Sequence, residues 1–534
     1  MSIPGPSRIP HVPPEPSLDA LVQSLPAMVT ISLGVMVVLS VVVMTSGKSK
    51  PPLANPPRWY QTALFKRLEF QQNGRAIMSE ARRRYGKQLY RLITDTGECL
   101  ILPPEYAATI RNSMDLSFAE AVVRMFSGHV HGFEMFAVLL HEKRLVQTVV
   151  MKQLTKYLNT LTKPLSEEAT YACDVIFGKD PEWKETVIAD SILQLTARLS
   201  TRIFLGDTMC RNEAWLSASK AYTATCFIMT LKMAALPPYL KFLVPYLSSE
   251  AKTVRENGNL CREILTPLFT QRQALKAEAR RNGQPEPVFN DMIDWYEQES
   301  KGTKYDPALF QTALSFVAIH TTSELLTHAL TLLASEPKYV DALREEIVRV
   351  LSSEGLTKGA LANLKLMDSC LKESQRYRPA AYLTMRRKAK RTVVLPDGTI
   401  IPQGQQIAVD GYHMSDPAIY PDPDKYDIYR YYRMRADPNP TKASQAHLVS
   451  TGPDNLSFGH GVQGCPGRFF AANEMKIALC HLLLKYDWEL DKRCDLSSKI
   501  LFGETEALDK GNRLRFRRRK EGEVEVDLEG LVYV

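Results

Sequence analysis

The chain has 534 residues, 45% hydrophobic and 24% charged, so a large buried core is within its reach. Its net charge of +8 suits a membrane surface or an acidic protein partner. No long basic run interleaves with aromatics, which argues against nucleic acid, and the nine cysteines are odd in number and form no CxxC pair. That pattern argues against a disulfide framework or a zinc site and reads as reduced thiols facing the cytosol.

Residues 1–24 are Pro-rich and polar and read as a short disordered luminal segment. Leu25–Met44 is apolar apart from Thr30, Ser32, Gly34 and Ser40. At about 1.5 Å rise per residue it is long enough to cross a hydrocarbon core of roughly 30 Å. A cleaved signal peptide fits less well, since the run starts late and no Ala-x-Ala site follows. Lys48, Lys50, Arg58, Lys66 and Arg67 follow the span and only Arg8 precedes it, which puts the bulk of the chain in the cytosol. Residues 45–58 carry two Pro-Pro pairs and read as a stiff linker, leaving 59–534 as one globular domain.

Within that domain, Gln88–Thr94 and Glu98–Leu102 read as two strands around a Thr96-Gly97 turn. Residues 140–330 read as mostly helical, with Arg272–Pro287 as a charged, solvated loop. Asp306-Pro307 has the form of an N-cap and first helical position, opening a helix that Ser335-Glu-Pro337 stops. Its middle, Ala318-Ile-His-Thr-Thr-Ser323, is polar inside an apolar helix; hydroxyls bonding back to helix carbonyls would account for that without any function. Glu373 and Arg376 stand at i,i+3 on a helix that Pro379 ends, a common pairing of small energy when exposed. Arg430 lies farther on and is able to bind a carboxylate bidentately. Thr392–Pro402 reads as a hairpin turning at Asp397-Gly398. The basic tail Arg513–Lys520 reads as an edge strand with solvated charges.

The densest signal is residues 456–471, Leu-Ser-Phe-Gly-His-Gly-Val-Gln-Gly-Cys-Pro-Gly-Arg-Phe-Phe-Ala. Cys465 sits among glycines at the start of an apolar helix, whose free N–H groups and dipole favour an anionic sulfur. Such a setting suits a lone thiolate ligand to haem iron. Gly459-His-Gly461-Val-Gln-Gly464 also spells G-x-G-x-x-G, but Thr451–Asn455 before it reads as a turn, where a dinucleotide site needs a strand.

The stretch resembles the haem-binding loop of the cytochrome P450 family, Phe-x-x-Gly-x-x-x-Cys-x-Gly, in Phe458, Gly461, Cys465 and Gly467. Three further motifs resemble the family's in order: Glu373-x-x-Arg376, the Pro423–Arg430 segment, and the central helix. There Thr322 matches the family threonine, while Ile319 replaces a glycine and Thr321 replaces an acid, with Glu324 close by. The resemblance covers roughly 55–520. It implies a mainly α fold with small β-sheets (α+β), the cytochrome P450 fold with an N-terminal transmembrane helix. It implies haem b (iron protoporphyrin IX) held by Cys465, with a propionate on Arg386 or Arg387, of which Arg386 is favoured, and an amide contact from Gln463. It implies that Thr322, with Thr321 beside it, serves proton delivery, and that Glu373, Arg376 and Arg430 lock the proximal side. It implies a monooxygenase at the endoplasmic reticulum membrane that takes O2, a hydrophobic small molecule and electrons from NADPH-cytochrome P450 reductase. Phe316–Ser323 and the cysteine loop look most like fungal members that oxidise terpenoids. Desaturation or ring rearrangement, a nicotinamide-dependent dehydrogenase at 459–464, and a non-catalytic haem carrier are the alternatives.

Overall fold

The computed structural model describes residues 50–534, apart from 235, 498, 510, 521, 522, 524, 525, 527, 529, 532 and 534. The expected anchor, Leu25–Met44, and the segment before it lie outside the described residues. Among the described residues no helix is long and apolar enough to cross a membrane. One compact unit runs from Leu53 to Val534. Its first residues belong to the sheet: Leu53 bridges Arg91, and the Asn55 side chain bonds Ile93 in both directions at 2.9 Å. Residues 53–55 of the expected linker are therefore docked.

Most of the unit is helical. The helices that frame the site are α1 (Ala63–Tyr85), α2 (Phe118–Met125), α3 (Ile188–Leu205), α4 (Glu213–Ala234), α5 (Ser249–Arg281), α6 (Pro307–Ala334), α7 (Pro337–Glu354), α8 (Lys365–Tyr377) and α9 (Arg468–Lys485). A five-stranded sheet orders β1 (Tyr90–Thr94), β2 (Gly97–Leu102), β8 (Gln406–Asp410), β5 (Leu383–Ala389) and β3 (Leu116–Ser117). β1 and β2 form the hairpin read from sequence, closing at Thr94↔Gly97. β6 (Val393–Val394) and β7 (Ile400–Ile401) flank the expected turn at 397–398.

Local chemistry fixes the long elements. The Asp306 side chain accepts from Leu309 N at 3.1 Å and Pro307 stands at the first position, so α6 begins where the cap requires. Its 28 residues pass through the largest apolar cluster, against α3. α8 has no cap from its own sequence; Glu346 of α7 reaches across and accepts from Leu366 N at 2.7 Å and Met367 N at 2.9 Å.

Two expectations are corrected. Residues 272–281 are helix, not loop, and α5 runs to Arg281. Their charge reads as solvated in sequence, but Arg272 and Lys276 are buried against Asp291 and Asp294 at 2.5 and 2.7 Å. Buried pairing accounts for charges that periodicity alone assigns to water. The basic tail is not an edge: β12 (Arg513–Arg518) lies between β4 (Lys184–Val187) and β9 (Tyr486–Leu490). Its arginines reach Glu489, Asp487 and Asp174 on neighbouring elements.

Candidate active site

The cysteine loop is built by backbone geometry. Gly459 and Gly461 have φ of +67° and +77°, open to glycine and costly for other residues. A Cβ on Gly461 would stand 2.4 Å from Arg111 O, so the loop packs there only without a side chain. Cys465 N donates to Phe458 O at 2.8 Å, closing the loop on the aromatic seven residues earlier. A short 3-10 turn, Gly461–Gln463, fills the interval, and no strand leads directly into Gly459. The G-x-G-x-x-G string thus lacks its strand.

Cys465 is half-buried. Burial pushes its thiol up, opposed by the N–H groups of Gly467 and Arg468 at the start of α9 and by the Arg468 charge. Arg468 also holds the loop's shape, donating to Cys465 O at 2.8 Å and Val449 O at 3.0 Å. Two residues after Cys465, a Cβ built at Gly467 would be in ordinary contact with Val150 Cγ1, at 3.7 Å.

Gln463 is fully engaged by backbone. Its amide donates to Ser113 O and Leu116 O at 2.9 and 2.8 Å, and its carbonyl accepts from Phe118 N at 2.7 Å. It ties the loop to the chain before α2. The two β5 arginines differ sharply. Arg386 is ion-paired with Glu504. Arg387 is 2% exposed and donates only to Arg386 O, at 2.8 Å, while its Nε and Nη2 have no hydrogen-bond partner among the described residues. Burial pushes its guanidinium down to about 10. A buried guanidinium with two free donors calls for an anion.

Glu373, Arg376 and Arg430 come together. Arg376 binds Glu373 bidentately, both contacts 2.8 Å, and Arg430 Nε donates to both Glu373 oxygens at 3.1 Å. Arg376 also donates to Met414 O and Pro423 O, and Arg430 to Pro421, Asp422 and Lys425 carbonyls. Sequence reasoning passed over their neighbour Lys372, whose buried ammonium caps Gln445 O at 2.6 Å and His447 O at 2.8 Å. It anchors the chain leading into the cysteine loop, and its position beside Glu373 was the only signal.

On α6 the two threonines face differently. Val317 and Thr321 are exposed, the former 52%, on a helix otherwise largely buried. The Thr321 hydroxyl donates to Val317 O at 2.9 Å. Thr322 is 5% exposed, and its hydroxyl has no partner among the described residues. Next to Val317, Phe316 meets Phe126 and Phe136 edge-on at 6.1 and 5.2 Å, an aromatic wall beside the open face.

Comparison with known proteins defines the class. The family model "Cytochrome P450" matches residues 51–506. Cytochrome P450 monooxygenase eqxH of Fusarium heterosporum is 40% identical over 479 residues, 89% of this chain and 92% of that one. Cytochrome P450 monooxygenase hepE of Aspergillus oryzae is 40% identical over 85% of this chain and 83% of its own. Dihydromonacolin L monooxygenase mokC of Monascus pilosus is 36% identical over 85% and 86%. In fold, the chain is similar to the structure titled retinoic acid bound cyanobacterial CYP120A1, with TM-score 0.62 at 16% identity, covering 88% of this chain and 99% of that one. The protein is an oxidoreductase of the monooxygenase class. It belongs to the cytochrome P450 family.

That family implies a haem iron, and the residues fit one. Cys465 offers sulfur beside backbone donors, and Arg387 has two buried donors lacking an anion among the described residues.

Proposed function

We propose that this chain is a haem-thiolate monooxygenase that oxidises a hydrophobic, terpenoid-type secondary metabolite, drawing electrons from an NADPH-dependent reductase at the endoplasmic reticulum membrane. The observation that carries the reading is the Phe458–Gly467 loop, which sets one cysteine at a helix start with amide donors facing its sulfur. Haem b bound there supplies oxygen activation and the oxidising power for an unactivated C–H bond.

The chain's own residues do the rest. Cys465 ligates the iron, and the amides of Gly467 and Arg468 hold negative charge on its sulfur. Arg387 pairs a propionate, in preference to Arg386, whose charge Glu504 already satisfies. Gln463 acts on the protein side, fixing the loop to residues 113–118. Glu373, Arg376 and Arg430 keep the proximal segments in register. Thr322 carries the hydroxyl left to pass a proton, because the Thr321 proton is spent on Val317 O. The terpenoid reading rests on the resemblance of Phe316–Ser323 and the cysteine loop. Membrane placement rests on the apolar Leu25–Met44 sequence and on an exposed strip at Tyr239, Phe242, Tyr246 and Leu247, each at least 60% exposed.

Cys465→Ala tests the reading. The parent's reduced CO complex should absorb at about 450 nm, a signature of thiolate ligation, and the variant should lose that band. A variant that keeps it overturns Cys465 as ligand.

A further inference from the structure

Three cations converge beside the β1–β2 turn with too few anions to match them. Built on Gly97, a Cβ would lie 3.5 Å from both Arg67 Nη2 of α1 and Arg124 Nη2 of α2. Lys241, in the short helix Pro238–Lys241, is 7% exposed, and its ammonium donates to Ser127 Oγ at 3.1 Å. None of the three forms an ion pair within 4 Å among the described residues, and Arg67 Nε is buried without a partner. The acid that acts on this cluster is Asp95, in the same turn. Three positive charges against one negative leave a surplus of two. Arg386, whose charge also acts on Asp95, is already satisfied by Glu504.

The surplus is felt. Burial, then Arg67 and Arg124, push the Lys241 ammonium down to about 8. Burial and Arg124 lower Arg67. Desolvated like charges held together without a counter-ion cost free energy, and a bound anion removes that cost. The cluster is linked through the chain to the aromatic wall on α6. Ser127, which receives Lys241, follows Phe126, whose ring packs on Phe136 and Phe316.

Resting on the haem-thiolate reading above, we propose that Arg67, Arg124 and Lys241 form a carboxylate-binding subsite. The substrate is then an amphipathic acid, its carboxylate anchored at this turn and its hydrocarbon body along the Phe126–Phe136–Phe316 wall. Asp95 offsets part of the surplus, raising both Arg67 and Lys241. A haem propionate offers the same chemistry, so the experiment must separate the two sources.

The probes are ω-(imidazol-1-yl)alkanoic acids of several chain lengths and their methyl esters, titrated into the full-length holoprotein. Imidazole ligation shifts the Soret band whatever the natural substrate, so binding is read without turnover. At the best length the acid should bind about tenfold or more tightly than its ester, the effect of one charge-assisted hydrogen bond. Lys241→Met and, separately, Arg67→Gln should each abolish that preference while leaving ester affinity and haem content unchanged. Lys241→Arg should retain it. Equal affinity of acid and ester at every length overturns the proposal, as does a preference that both variants keep. Loss of haem together with the preference assigns the cluster to a propionate and overturns it too. No imidazole shift in the parent defeats the haem reading itself, an outcome distinct from a shift without acid preference.

Discussion

Replacing Glu373 by alanine removes the one anion shared by two arginines in the interior. Glu373 is fully buried and accepts from Arg376 Nε and Nη2, Arg430 Nε and, at 3.3 Å, Asp427 N. After substitution Arg376 keeps Met414 O and Pro423 O, and Arg430 keeps its three carbonyls, so neither is stripped of partners. Both nevertheless remain cationic with no carboxylate, and the Arg376 side chain is 1% exposed. Breaking a buried pair by removing one partner costs about 3–5 kcal/mol. Set against a total stability of about 5–15 kcal/mol, that is enough to deplete folded protein. The assay is holoprotein yield, from the reduced CO spectrum per unit of protein, with thermal unfolding of whatever is recovered. Glu80→Ala is the control: Glu80 and Arg83 share the i,i+3 spacing at 2.8 Å but are 60% and 78% exposed, so no measurable loss is expected. Normal haem content and an unchanged midpoint in Glu373→Ala, with turnover alone lost, would refute the structural role argued here.

Three other outcomes are expected. Arg387→Leu should shed haem on dilution faster than Arg386→Leu, followed by Soret decay with apomyoglobin as acceptor, because only Arg387 has free buried donors; the reverse order rejects the assignment. Burial pushes the Glu474 carboxyl up to about 8, with Ser200 Oγ donating to it at 2.7 Å. Its folded-state pKa lies above its unfolded one, so the stability it contributes is present below about 4.5 and is lost as pH rises to about 8. Glu474→Gln should therefore raise the unfolding midpoint at pH 8 relative to the parent and lose that advantage near pH 5; parallel pH profiles would count against it. Thr322→Val should keep haem and imidazole binding but yield less product per NADPH with more hydrogen peroxide released, and Thr321→Val should do much less. An inverted pair of results moves the proton-delivering hydroxyl to Thr321.

The parts of the fold legible in sequence are those whose signals are local. Asp306-Pro307 and Pro337 bound α6 because caps and prolines act within a turn or two. The hairpins at 94–97 and 393–401 follow from turn residues between short apolar runs. What escaped the sequence was set by distant partners. Residues 272–281 look solvated until Asp291 and Asp294 are brought beside them. β12 looks like an edge until β4 and β9 take up its two sides. The α8 start has no cap of its own, since Glu346, twenty residues earlier, provides it.

The same division runs through the site. Phe458, Gly461, Cys465 and Gly467 are close in sequence, and the glycine pattern alone indicates a tight loop around a sulfur. Choosing between Arg386 and Arg387 is different, because neighbouring residues on a strand point to opposite faces. Sequence spacing places both near the right strand but does not say which face holds Glu504 and which lacks an anion. The α6 threonines pose the helical form of that problem. Adjacent helix positions differ by about 100° in direction, so a one-residue shift turns a side chain from one face to another. The open face is centred on Val317 and Thr321, yet the hydroxyl without a partner belongs to Thr322 at its margin. Exposure favours one threonine and hydrogen-bonding capacity the other. Capacity decides, since a hydroxyl that already donates to Val317 O has to break that bond before it can pass a proton on.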